Sequence, residues 1–193
     1  MTPDGAVGYP MLFLLVLAGA LVPVIPTGAL VSSGAVVAFH HGAPGVSLGV
    51  ELLVASAAAF LGDMALYSLG RRGMDSRGGT RWLERIRDRA PQERMEQAQD
   101  RLRRHAVPVL VLSRLIPGGR LPVMLACLVS HWPLARFVRG NAPACVVWAA
   151  TYQVIGVLGG SLFDEPWKGV VAAVLLTVAI SAAPAAWSHY KDR

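Results

Sequence analysis

Apolar residues fall in long blocks, and two of the blocks are interrupted in the same way. The first runs over residues 9–22, breaks at Pro23-Val24-Ile25-Pro26-Thr27-Gly28, and resumes from Ala29 to Phe39. Residues 106–129 form a second broken block, interrupted at Arg114-Leu115-Ile116-Pro117-Gly118-Gly119-Arg120-Leu121-Pro122. Proline removes a backbone donor and clashes with the preceding turn, and glycine supplies a sharp turn. A membrane-spanning helix needs about 20 apolar residues. Neither arm of 9–39 reaches that, so this block predicts a re-entrant hairpin, and 106–129 predicts a second. Residues 48–69, 137–160 and 169–187 are long enough to span. His40 to Gly45 and Ser130 to Pro133 read as turns, with Trp132 suited to a membrane–water interface.

Each half therefore carries a broken block, a turn and a span. Ile25-Pro26-Thr27-Gly28-Ala29-Leu30 aligns with Ile116-Pro117-Gly118-Gly119-Arg120-Leu121. With one intervening span the two hairpins enter from opposite sides, an inverted repeat of the kind found in transporters. The expected fold is all-α: one polytopic membrane domain with two opposed re-entrant hairpins and three spans. Open backbone at membrane depth is tolerated only where it faces protein or a water-filled cavity.

Composition agrees. Of 193 residues 54% are hydrophobic, and mean hydropathy is +0.48. The net charge of +6 is uneven: residues 71–105 hold 11 of the 18 Lys and Arg. This basic segment reads as cytoplasmic, either as two amphipathic helices split by Pro91 on an anionic leaflet or as a solvated linker. The first hairpin then enters from outside, the second from the cytoplasm, and the C-terminus is cytoplasmic. The N-terminal block lacks the positive flank of a signal peptide and is kept in the mature chain. Cys127 and Cys145 read as small buried hydrophobes. His40 and His41 have no accompanying ligands, so neither a metal nor another cofactor is expected.

Candidate chemistry lies in the charges inside apolar blocks. An ionisable side chain at bilayer depth is costly and marks a pathway by default. Arg114 and Arg120 flank Pro117-Gly118-Gly119, where a helix break frees backbone N–H groups; guanidinium forks and helix N-termini both suit phosphate. The alternative is that both arginines snorkel to the interface. Asp63 lies about two turns inside the exit at Gly70, too deep to snorkel easily. It pairs with Arg114 or Arg120, or exchanges protons. Glu51, near the opposite end of its block, reads as exposed.

At these residues the chain resembles the DedA family, which has the VTT domain in common with eukaryotic membrane scramblases. The resemblance covers roughly residues 20–165. It is carried by the Ile-Pro break at 25–28, by Gly62-Asp63 with Tyr67 and Gly70-Arg71, and by Ser113-Arg114-Leu115-Ile116-Pro117-Gly118-Gly119-Arg120. Phe137, and Trp148 ahead of Gly156 and Gly159, add to it. The family pattern has Phe where this chain has Leu115. The resemblance implies lipid movement between leaflets, with undecaprenyl phosphate a bacterial substrate. It also implies functional roles for Arg114 and Arg120 and a membrane-embedded role for Asp63. One departure is that Gly28 stands where the family usually has an acid, leaving the proton-coupling carboxylate pair incomplete.

The expected function is a flippase or scramblase for an anionic phosphate-bearing lipid in the bacterial plasma membrane. Arg114, Arg120, Pro117, Gly118, Gly119, Pro26 and Gly28 would bind substrate, and Asp63 would handle any coupling proton. Membrane lipids are the expected partners and nucleic acid is not; homo-oligomerisation is left open. The alternative function is a proton-coupled transporter of small ions or drugs. An enzyme is disfavoured, because no histidine or serine has a positioned catalytic partner.

Overall fold

The computed structural model describes residues 4–21, 26–40, 43–74, 105–116 and 119–162, with isolated positions at 168, 171, 174 and 175. Outside the described residues lie most of the basic segment (75–104), all but isolated positions of the expected span at 169–187, residues 22–25 of the first break, and Pro117 and Gly118 of the second.

Every element among the described residues is an α-helix. In chain order these are α1 (Asp4–Leu21), α2 (Thr27–Phe39), α3 (Pro44–Met74), α4 (Ala106–Leu115), α5 (Arg120–Val129) and α6 (Leu134–Ser161). One sequence of elements thus occurs twice: helix, break, shorter or equal helix, turn, long helix. α3 and α6 are long and apolar enough to cross a membrane. At 31 and 28 residues they extend roughly 46 and 42 Å, more than the ~30 Å hydrocarbon core. They overrun the expected 48–69 and 137–160 at both ends. Proline at the first helical position gives up only a donor that had no partner, so α3 starts at Pro44 rather than after it. α2, α4 and α5, with 13, 10 and 10 residues, are too short to cross; α1 has 18.

The side-chain distribution is that of a protein in an apolar solvent. Val46, Leu53, Leu61 and Leu69 of α3 point outward, whereas Glu51 and Asp63 of the same helix are fully buried. In hydrocarbon an outward leucine costs nothing, and polar groups must find partners inside.

The chain forms two compact units. The first comprises residues 1–59 and 146–193, the second residues 60–145. Each unit therefore contains one helix–break–helix hairpin, one half of α3 and one half of α6. In the first unit α1 packs against α2, and the interior is built from small residues, including Ala20, Ala35, Ala55, Ala58 and Ala149. Small side chains let helix backbones approach closely, which drives packing when lipid removes the hydrophobic contrast. At Gly156 of α6 a Cβ would strike the carbonyl of Ser32 and lie 2.7 Å from Ala35 Cβ.

The second unit has a bulkier core of Tyr67, Leu110, Met124, Leu128, Trp132 and Phe137. Tyr67 stacks on Phe137 at 4.0 Å between ring centroids and donates its hydroxyl proton to the Trp132 carbonyl at 2.9 Å. The turn after α5 sets this up. His131 takes a left-handed conformation, φ 52°, with its N–H on Leu128 O at 2.9 Å and the Trp132 N–H on Cys127 O at 3.1 Å. This is the paired-bond Schellman ending, with Pro133 beyond it to stop the helix. It folds Trp132 inward. That residue is 3% exposed, with Arg136 over its ring, and belongs to the core rather than to an interface belt. Cys127 and Cys145 are both buried and free.

Candidate functional site

The second break places two cations. α4 ends at Leu115, carrying Arg114 in its last turn, and Ile116 is extended at φ −87°, ψ 123°. Gly119 then donates its N–H to Ile116 O at 3.0 Å. Any Cβ at Gly119 would lie 2.8 Å from Ser113 O and 3.2 Å from Ile116 O. Only glycine allows the chain to double back so tightly. The Ser113 hydroxyl donates to Leu110 O at 2.8 Å, anchoring the end of α4. Arg120 opens α5, and no side chain caps that terminus.

Both arginines converge on one carboxylate. Arg114 Nη2 donates to Asp63 Oδ2 in a buried ion pair, and Arg120 Nε lies 3.1 Å from Oδ1. Asn141 of α6 adds a hydrogen bond from Nδ2 to Oδ2 at 2.9 Å, and Cys145 Sγ stands 4.0 Å from the same oxygen. The side chain of Asp63 is 1% exposed, Arg114 5% and Arg120 22%. The guanidiniums are turned inward onto Asp63. All of these residues belong to the second unit.

The remaining site expectations fall elsewhere. Pro26 and Gly28 belong to the first unit, where Pro26 is exposed and Gly28 is buried. A Cβ at Gly28 would collide with the ring of Tyr152, so an aromatic ring fills the space that a longer side chain would need. Pro117 and Gly118 lie outside the described residues.

Two residues were not anticipated in these roles. Asn141 was legible only as a polar residue within an apolar span. Glu51 corrects the expectation: it is 1% exposed, because α3 begins a full turn before the apolar block and carries Glu51 into the interior. Its Oε2 accepts a hydrogen bond from Gln153 Nε2 at 2.9 Å, and Gln153 also donates to Leu48 O at 2.7 Å. Among the described residues no group of three or more His, Cys, Asp or Glu could hold a metal ion.

Comparison with known proteins places the chain in a family. The VTT domain profile matches residues 9–158, which includes both hairpins and both long helices. An uncharacterized membrane protein of Haemophilus influenzae is 26% identical over 159 residues, covering 81% of this chain and 72% of that protein. No solved structure matches the chain. The profile match spans most of the chain, across both broken blocks, and this chain belongs to the VTT-domain (DedA) family of membrane proteins.

Proposed function

We propose that the chain moves an anionic, phosphate-bearing lipid between the leaflets of a bacterial plasma membrane, with polyprenyl phosphate the first candidate. The observation that carries this reading is the convergence of Arg114 and Arg120 on Asp63 beside the uncapped start of α5. Guanidinium forks beside the backbone N–H groups of a helix start match the oxygens of a phosphate.

The two arginines divide the work. Arg114 is the more buried and is held on the oxygen that Asn141 also supports, so it is the positioning residue. Arg120 is more exposed and meets Asp63 through Nε. Its terminal nitrogens suit bidentate contact with phosphate oxygens. Asp63 keeps both cations in place at membrane depth and releases Arg120 in part when a headgroup arrives. Fixed donors then replace phosphate hydration while the tail remains in lipid. The hairpins are re-entrant in this reading, with the basic segment and the C-terminus in the cytoplasm.

The test is leaflet exchange of a labelled polyprenyl phosphate in proteoliposomes. Arg120→Ala abolishes exchange, and Arg120→Lys restores only part of it, because an ammonium cannot form the two-pronged contact. Wild-type flux in a folded Arg120→Ala protein overturns the reading. Uptake of inorganic phosphate or of small cations into the same vesicles, with no lipid exchange, would instead favour transport of small ions.

A further inference from the structure

The two long helices have matching polar positions. Counted from Pro44 and Leu134, Glu51 and Asn141 are each the eighth residue, and Asp63 and Gln153 each the twentieth. Within the second unit Asn141 bonds to Asp63 at 2.9 Å. Within the first, Gln153 bonds to Glu51 at 2.9 Å. One acid–amide pair is thus built twice, α3 supplying the acid and α6 the amide each time, with positions eight and twenty exchanged between the helices. The Asp63 copy holds two arginines. The Glu51 copy holds none on its described neighbours.

The groups facing Glu51 can be named element by element. α2 has no ionisable residue, and its Gly34 lies against the carboxyl: a Cβ there would be 3.1 Å from Oε1. His40, just past the end of α2, has Nδ1 on Val36 O. α1 offers Leu12 against Gly34 and Tyr9, whose hydroxyl donates to Ser47 O; the other ionisable residue in its sequence is Asp4, 47 positions before Glu51. Residues 44–59 of α3 carry Glu51 alone, and residues 146–161 of α6 carry Tyr152 alone. Tyr152 lies against Gly28, and its carbonyl accepts the Ser32 hydroxyl at 2.9 Å. Glu51 Oε2 is held by a neutral amide, and Oε1 is buried with no hydrogen-bond partner among the described residues.

We propose that Glu51, Gln153 and Gly34 form a proton-binding site in the first unit. Gln153 fixes Oε2, and Oε1 takes up a proton from bulk water and returns it there, converting carboxylate to carboxylic acid and back. The physical argument is charge. An isolated carboxylate in such surroundings is far more costly than the neutral acid. A sodium ion would need several more oxygen ligands than one free carboxyl oxygen provides. Asp63, ion-paired to two guanidiniums, already has its negative form compensated, so Glu51 is the acid of the two that can change charge. The inference does not rest on the lipid substrate proposed above.

The experiment is infrared titration of the full chain in lipid nanodiscs, with carboxyl-¹³C glutamate separating glutamate from aspartate. A protonated-carboxyl band from glutamate is expected at neutral pH, with loss of the band as the solution is made alkaline. Glu51→Gln removes the band, Asp63→Asn leaves it, and Gln153→Leu shifts it to higher frequency because one hydrogen bond is gone. If Glu51→Gln fails to fold, the labelled wild type and Gln153→Leu still decide the matter. The proposal is overturned if labelled glutamate shows no protonated band at neutral or mildly acidic pH. It is also overturned if Gln153→Leu leaves the band unmoved, or if added sodium chloride removes the band at constant pH.

Discussion

At the scale of single residues, the buried charges are interdependent. Removing one member of a buried ion pair leaves an uncompensated charge and costs about 3–5 kcal/mol, whereas neutralising both members costs far less. Asp63→Asn, which takes the carboxylate from both arginines, is therefore expected to lower the midpoint of thermal unfolding in detergent well below wild type, and Asp63→Asn with Arg114→Ala to recover part of the loss. Additive losses in that double-mutant cycle would contradict the pairing. Gly28 presents the opposite problem, one of space. Restoring an acid there by Gly28→Glu drives the new side chain into Tyr152, and overpacking of this kind typically costs about 1–3 kcal/mol. Pairing it with Tyr152→Ala should relieve the strain, measured as recovered thermal stability. That Asp63 would meet Arg114 or Arg120 was legible in the sequence, because charges inside apolar blocks are costly enough to require one another. Glu51 and Asn141 were less legible. Their partners are neutral amides or a shared carboxylate, which leave no mark on charge patterning, and the ring filling the space at Gly28 sits far away in the chain.

At the scale of elements, glycine contacts rank the helix crossings. A Cβ at Gly156 meets the backbone of α2, which cannot yield locally. A Cβ at Gly140 meets only the tip of Leu110, Cδ1 at 2.6 Å, which can rotate away. Gly156→Ala should thus destabilise more than Gly140→Ala, as read from unfolding midpoints; the reverse order would mean that the α2–α6 approach is looser than described. The turn after α5 offers a gain. His131 holds φ 52°, a region that costs a side-chain-bearing residue roughly 1–2 kcal/mol, so His131→Gly is expected to raise stability by about 1 kcal/mol. Helix identities and the turn at Ser130 to Pro133 followed from the apolar blocks and their Pro/Gly punctuation, whereas the turn read from His40 to Gly45 is cut short by α3, which begins at Pro44. The ends of α3 and α6 did not, because a helix continues past its apolar stretch as long as its backbone is satisfied. The inward position of Trp132 depends on a left-handed histidine, which no local signal announced.

At the scale of the whole molecule, the repeated order of elements was legible from the two matching breaks, and the profile match spans both. What the breaks alone did not reveal is the division of labour between the copies. One copy carries two cations on its acid and the other none among the described residues, although an acid–amide hydrogen bond is common to both. The proposed functions can be separated experimentally: Glu51→Gln should alter pH dependence while leaving the proposed Arg120-dependent lipid exchange measurable, and Arg120→Ala should do the converse. Loss of both properties in each variant would argue for a single indivisible site.

The make-up of the two units bears on how the chain is synthesised. The first unit is assembled from parts far apart in the chain, since residues 1–59 complete it only with residues from 146 onward. When the ribosome has released only the first hairpin and α3, Glu51 has no Gln153 and Asp63 no arginines. Two acids then wait in the membrane-inserting chain for partners still to be translated. The nascent first half should therefore remain at the insertion machinery until the second emerges. Severing the gene within the codons for 75–104 should yield fragments that are degraded when expressed singly and stable when expressed together.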